Sequence, residues 1–292
     1  MSTATLVPPA VGAADEAPLN RRKRGWGFHA VMAPLTLIWV APMVFVLVLA
    51  FRSFDDIAAH GTAAWPASFS FDGFREAMGR GAMGRALWTS IQVTVPAVLL
   101  SLLLASWAAY ALSRFNIPGR RVILLTMLAG NLLPPQILLI PVSRVMESLG
   151  IYDTLLALVI IHVGFGLGFY TFVLHGFMRS IPAELTEAAR IDGAGPVQIY
   201  ARIIMPLCRP SLAALGALAT TWIFNDLIWA ITVLRTEAKL PVTAALLNLQ
   251  GGYVSNWNVV AAASVIAAVP TAIVFFAFQR HFVSGLLMGS TK

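Results

Sequence analysis

Six stretches of about twenty residues, at 31 to 51, 89 to 112, 122 to 142, 155 to 178, 210 to 234 and 259 to 279, carry no formal charge except Asp226. About 20 consecutive apolar residues are what an α-helix needs to cross the hydrocarbon core of a bilayer. Six such runs in one chain point to an all-α polytopic membrane protein with six transmembrane helices. Composition excludes the alternatives. With 58% hydrophobic and only 11% charged residues, the chain lies far from the roughly half-apolar, quarter-charged mixture of soluble domains, and a soluble fold would aggregate. Disorder is excluded as well, because a chain this apolar can bury enough surface to offset its ordering entropy.

The first run starts too late and extends too far for a cleaved secretory signal, and no small-residue cleavage site follows it. It is therefore read as a retained membrane helix. Cytoplasmic segments retain an excess of Lys and Arg. With the N-terminus inside, thirteen of the twenty basic residues fall on that side, among them Arg21, Arg22, Arg114, Arg120, Arg121, Arg179, Arg190, Arg202 and Arg209. Both termini are accordingly expected in the cytoplasm. The net charge of +7 is spread over many short segments, whereas a nucleic-acid partner would require one basic face. The single cysteine, Cys208, rules out an intramolecular disulfide and a CxxC pair.

The expected organisation is a disordered cytoplasmic tail over 1–28, a first helix and outer loop over 29–88, a five-helix core over 89–282 with a cytoplasmic loop at 179–209, and a tail over 283–292. Within the outer loop, FDGFREAM at 71 to 78 reads as a short surface helix. GRGAMG at 79 to 84 formally matches a dinucleotide-binding motif. That motif works only between a strand and a helix, a context this loop does not offer. Phosphate-loop, HExxH and GxSxG motifs are missing from the sequence.

Polar residues inside the spans mark candidate pathway positions. Asn131, Pro134, Pro135, Gln136 and Pro141 interrupt the third run. Freed carbonyls at such depth are tolerated only against protein or a water-filled cavity, so the choice is between a kinked, pathway-lining helix and helix packing. Asp226, beside Asn225, stands eight residues before the end of the fifth run, about 12 Å from the helix end. An intramembrane carboxylate marks a pathway or gate; a shorter helix would leave it at the interface. His162 reads as a hydrogen-bonded packing residue, and Gly164, Gly166 and Gly168 as a close helix contact.

The segment RSIPAELTEAARIDGAGPVQIYARIIMPLCRP, residues 179 to 210, is unusually organised for a connector. Ser180 suits a cap, Pro182 a first turn, and Glu184 and Glu187 the positive end of a helix. Gly193 offers a left-handed stop, and Gly195-Pro196 opens a second helix that Pro206 and Pro210 end. A helix, a glycine turn and a second helix projecting from the membrane make a docking knob. Ala188 and Ala189 would admit a partner's backbone, while Glu187, Arg190 and Asp192 would supply ion pairs.

The spacing E-A-A, three residues, G, nine residues, I-x-L-P in this segment resembles the signature of importer-type ABC transporter permeases. Glu187, Ala188, Ala189, Gly193, Ile203 and Pro206 stand in register, with Met205 in place of leucine. AYALSRFNIPGRR at 109 to 121, PPQILLIPVSRVMESLGIYDTLLAL at 134 to 158 and QRHFVSGLLMGSTK at 279 to 292 resemble the sugar-transporting branch, in particular its shorter permease subunit. FNDL at 224 to 227 stands where that branch commonly shows a WNEF-like run. The resemblance implies the type I ABC importer permease fold, in a bacterial inner membrane. The partners would be a second permease subunit in a heterodimer, two ATP-binding subunits and an extracytoplasmic solute-binding protein. This chain would bind no cofactor, ATP and Mg being used by the ATPase. The implied cargo is a neutral mono- or oligosaccharide, with glycerol 3-phosphate, a polyol or an oligopeptide as alternatives. A secondary transporter would call for paired intramembrane charges and an inverted repeat, and a membrane enzyme for a cluster that His162, His175 and Asp226 are too scattered to form.

Overall fold

The computed structural model describes residues 26–79, 82–249 and 256–288, in two units, residues 1–45 and 46–292. Residues 1–25 of the tail expected over 1–28, Arg80 and Gly81 of the GRGAMG run, and residues 250–255 and 289–292 lie outside the described residues. Helix α1 (Trp26–Ala50) begins in the first unit, where every residue from Trp26 to Phe45 is exposed. A helix that is apolar on all its faces needs an apolar surrounding. Hydrocarbon is the medium that suits it.

The second unit follows with α2 (Phe54–His60), α3 (Asp72–Met78), α4 (Met83–Arg114), α5 (Arg120–Ala129) and α6 (Pro135–Ser148). Next come α7 (Leu155–Ser180), α8 (Ala183–Ile191), α9 (Pro196–Ile199), a wide π turn over Tyr200–Ile204 and α10 (Met205–Phe224). The last helices are α11 (Ile228–Val233), α12 (Val242–Asn248) and α13 (Trp257–Met288). The short helix expected at 71 to 78 is α3. Among the described residues there is no strand. Five helical stretches are long and apolar enough to cross a bilayer: Trp26–Ala50, Met83–Arg114, Leu155–Ser180, Pro196–Phe224 and Trp257–Gln279.

The third expected span, 122 to 142, is not one helix. It is α5, a tight turn at Gly130–Leu132 and α6, separated where Leu133 and Pro134 turn to extended backbone with ψ of 131° and 125°. Pro134 and Pro135 each lack an N–H, and each forces its predecessor out of helical ψ. At about 15 Å, α5 cannot cross a membrane by itself.

The most extensive helix pair is α4 with α7. On α4, Ala97, Ser101, Ala105 and Ala109 are fully buried at four-residue spacing, while Leu99, Leu103 and Trp107 on the other side are exposed. This inverts a water-soluble helix for a physical reason. Lipid tails are as apolar as leucine, so association depends on close backbone approach and dispersion, which small residues permit. Of the three glycines grouped by sequence, only Gly168 sits in an interhelical contact. A Cβ there would stand 2.1 Å from the Met127 carbonyl oxygen on α5. Gly166 faces Tyr170 of its own helix, and Gly164 has nothing within 4 Å.

Two side-chain knots organise the connections at the end of the bundle where α7 begins. Arg52 is fully buried, donating to Asp56 Oδ2 at 2.6 Å and to the carbonyls of Gly61, Thr62 and Ala64 at 2.9, 3.1 and 2.9 Å. Asp153, at φ 56°, accepts from the backbone N–H groups of Arg235 and Thr236, from Thr236 Oγ1 and from Lys239 Nζ. Arg52 holds the Asp56 carboxyl below its ordinary 3.8. The Thr236 hydroxyl and neighbouring amides hold the Asp153 carboxyl well below the same value. Both folded values are depressed, so both knots contribute fully above pH 3.8 and loosen as pH falls through that value towards the folded ones. Amide-exchange protection over 150–154 and 234–239 is expected to drop below pH 3.8, once corrected for intrinsic exchange. An Asp153→Asn variant should lack that step.

Candidate functional site

The segment after α7 folds into an elbow whose construction follows its local chemistry. Pro182, at φ −51° and ψ 135°, turns the chain, and α8 runs from Ala183 to Ile191 with Glu184 in its first turn. The cap expected from Ser180 does not form. Ser180 is the last residue of α7, and its hydroxyl donates to the Phe177 carbonyl at 2.7 Å. Gly193 adopts φ 82°, the Gly193 N–H bonds Arg190 O at 3.0 Å, and the Ala194 N–H bonds Ala189 O at 2.9 Å. This pair of bonds is a Schellman stop, which satisfies the last carbonyls of α8 and requires a residue at ease with positive φ. Gln198 Oε1 accepts from the Gly195 N–H at 3.1 Å, so the turn into α9 is closed from its far side.

The second arm of the elbow does not stop at Pro206 or Pro210, contrary to expectation. The π turn at Tyr200–Ile204 opens the helical ladder where the Pro206 ring would strike the carbonyl four residues back, and α10 continues through both prolines to Phe224. The elbow is therefore rigidly joined to a long apolar helix. Its base is also tied to α4 and α7. Arg114 Nη2 donates to Met178 O and Ile181 O at 2.8 and 2.9 Å, meeting the negative end of α7. Tyr110 Oη donates to Pro196 O at 3.0 Å, and Ser106 Oγ lies 2.7 Å from Tyr200 Oη. Ile199, Ile204 and Cys208 are buried in the same cluster as Tyr170, Leu174 and Met178.

What this anchored elbow presents outward differs in part from expectation. Glu187, Ala188, Arg190, Asp192 and Gly193 are exposed, and none of the three charged residues forms an ion pair among the described residues. Gly195 is half-buried at the turn, and Pro206 is half-buried at the start of α10. Ala189 turns inward and packs with Ala194 against the core cluster, so only Ala188 of the alanine pair faces out. Three apolar residues that sequence reading passed over share the surface: Leu185, Ile191 at 87% exposure and Val197 at 78%. The available signal was their apolar character within an otherwise polar loop.

The polar residues within the bundle form a second locus, and the structure unites only some of them. After Phe224 the helix breaks at Asn225-Asp226-Leu227 before α11. Asp226 is therefore not inside a continuous span. Its carboxylate accepts from the N–H groups of Trp229 and Ala230 at 3.5 and 3.2 Å, starting α11, and His162 Nε2 of α7 lies 3.7 Å away. Thr243 on α12 donates to the Asp226 carbonyl at 2.6 Å. Asn225 Nδ2 donates to Thr221 O at 2.8 Å and to Thr271 Oγ1 on α13 at 3.3 Å. Asn131 stands apart at the close approach of α5 and Gly168, six residues along α7 from His162 and about 120° around it. Gln136 is exposed near the start of α6.

Residues 97–287 match the model of the binding-protein-dependent transport system inner membrane component family. The chain is similar to the alpha-glucoside transport system permease protein AglG of Rhizobium meliloti (strain 1021), at 37% identity over 237 residues covering 79% of this chain and 62% of AglG. It is also similar to the osmoprotective compounds uptake permease protein GgtD of Synechocystis sp. (strain ATCC 27184 / PCC 6803 / Kazusa), at 31% identity over 94% of this chain and 95% of that one. Among solved structures, a bacterial ABC transporter involved in the import of the acidic polysaccharide alginate superposes with a TM-score of 0.76 at 25% identity, covering 88% of this chain and 95% of the other. These relatives are permeases, so the class of function is transport and not bond chemistry. The chain belongs to the binding-protein-dependent transport system inner membrane component family, as a multi-pass inner-membrane permease with the type I ABC importer permease fold.

Proposed function

We propose that this chain is a membrane-spanning permease subunit of an ATP-driven importer for a carbohydrate, and that the elbow at 183–199 is where a separate ATPase grips it. One observation carries this reading: a helix-turn-helix whose base is buried in the bundle core, while its tip offers Glu187, Arg190 and Asp192, without ion pairs among the described residues, around exposed Leu185, Ile191 and Val197. Exposed apolar residues among unpaired charges suit a partner interface, in which the apolar groups are buried and the charges set register.

The full assembly in this proposal has a second permease subunit, two ATP-binding subunits that use ATP and Mg, and an extracytoplasmic solute-binding protein. The elbow and both termini are cytoplasmic. Closing of the ATPase pair must favour one state of the bundle over the other for nucleotide to drive transport. Stiffness between elbow and helices transmits that preference, and Arg114, Tyr110 and the buried Ile199 supply it here. Asn225 and Asp226 line the path at the helix break, with Asn131 and Gln136 as further path positions. The carbohydrate cargo rests on the names of two relatives, one for alpha-glucosides and one for alginate. A neutral sugar is preferred, because the six apolar runs of the sequence, the fifth taken from residue 210, hold no Lys or Arg to bind a phosphate ester or uronate.

The native Cys208 is buried, so Ile191→Cys introduces a single accessible thiol. In the complete transporter, a short bifunctional crosslinker at that thiol is expected to capture the ATP-binding subunit, and ATP should change the yield. Absence of any adduct with Ile191→Cys, Val197→Cys and Leu185→Cys in a transporting complex would refute the assignment.

A further inference from the structure

We propose that Trp222 and Asn225 form a carbohydrate subsite contributed by this subunit itself. Trp222 is 54% exposed, and its ring rests on Phe169 of α7 with centroids 5.5 Å apart and planes at 49°. Phe169 thereby braces the indole from one side and leaves part of it uncovered. Asn225 follows three residues later, on the same face of the helix end. Both of its amide protons are used, one by Thr221 O and one by Thr271 Oγ1. Asn225 Oδ1 is therefore held in place without a hydrogen bond of its own among the described residues, as is Trp222 Nε1.

The depth of this pair argues against a lipid-facing role. Thr271 lies fourteen residues into α13 from Trp257, or about 21 Å along its axis, so its partner Asn225 sits beside the interior of the apolar stretch Trp257–Gln279 and not at either of its ends. Tryptophans that anchor helices in lipid sit at the headgroup level, where the indole N–H finds a polar partner. Here a donor and an acceptor without partners among the described residues lie on an exposed face of the bundle beside a break in the helix. Irregular backbone at such depth is found where it faces protein or a water-filled cavity. A flat π face flanked by one donor and one acceptor complements a pyranose, whose C–H face stacks while its hydroxyls bridge the two polar atoms.

The inference rests on the carbohydrate reading above, and its test separates the two. The complete transporter in proteoliposomes is assayed for uptake of radiolabelled maltose, trehalose and methyl α-glucoside. For the sugar taken up, Trp222→Leu is expected to raise KM about tenfold, the scale of a lost aromatic contact. Trp222→Phe should recover to within about threefold, since it keeps a stacking face. Asn225→Ala should also raise KM. Co-purification of the partner subunits with each variant reports assembly. If Trp222→Leu transports with unchanged KM, the subsite is refuted and the carbohydrate reading stands. If the wild-type transporter takes up none of the sugars, that reading falls and the subsite with it.

Discussion

Replacing Gly193 by tryptophan is expected to leave the chain in the membrane at near-normal abundance while abolishing coupling to the ATPase. Gly193 holds φ at 82°, and a Cβ there would meet nothing within 4 Å. Any side chain is therefore opposed by backbone conformation and not by its own neighbours. For an L-residue the left-handed region costs about 1–2 kcal/mol, a factor of roughly five to thirty in the population of the correct turn. Alanine incurs that conformational cost alone, so Gly193→Ala should show a partial defect. Tryptophan adds bulk on the surface beside Asp192 that the motor must approach, and uptake should fall below detection. Gly195 is the control. Its φ of −71° and ψ of 163° suit any residue and a Cβ there is unopposed, so Gly195→Ala should fold normally. Solute uptake and substrate-stimulated ATP hydrolysis by the complete transporter check the series. Normal uptake by Gly193→Trp would contradict the role given to the elbow.

The elbow was legible in the sequence because its determinants are local. Pro182, Gly193 and the Gly195-Pro196 pair set backbone angles at their own positions, and those angles appear in the structure. Errors arose where a local rule met a non-local one. Pro206 and Pro210 read as helix stops, yet the wide turn at Tyr200–Ile204, anchored by Tyr110 and Ser106 from α4, absorbs the first and lets the helix continue. Ala188 and Ala189 read as one surface, although residues adjacent on a helix are 100° apart, and here that step carries Ala189 onto the side packed against the core cluster. The break at Asn225 is stabilised by Thr271 and Thr243 from later helices, and no short window of sequence contains those partners. Apolarity identified the long spans but could not resolve the third, where two adjacent prolines divide a run whose hydropathy is continuous.

The second large effect is expected at Gly168, and it distinguishes close helix packing from mere glycine content. A Cβ at this position would lie 2.1 Å from Met127 O, 2.8 Å from Met127 C and 2.9 Å from Asn131 Nδ2. Two of these are backbone atoms of α5, so no rotamer change can relieve the contact. α5 and α7 must separate. Overpacking of this kind typically costs about 1–3 kcal/mol and more when backbone must move, so Gly168→Leu should lower the amount of assembled transporter at least about tenfold. Gly168→Ala, with the same Cβ but no further bulk, should assemble in part and transport poorly, because a displaced α5 also shifts Asn131, which is in the turn after it and bonded to Met127 O. Gly164→Ala, one turn earlier on the same helix, meets nothing within 4 Å and should behave as wild type, or slightly better for the gain in helix propensity. Membrane abundance by immunoblot and uptake per assembled complex separate the two consequences. Equal behaviour of the Gly164 and Gly168 variants would mean that α5 and α7 do not approach each other at Met127, and the placement of Asn131 beside α7 would then be lost as well.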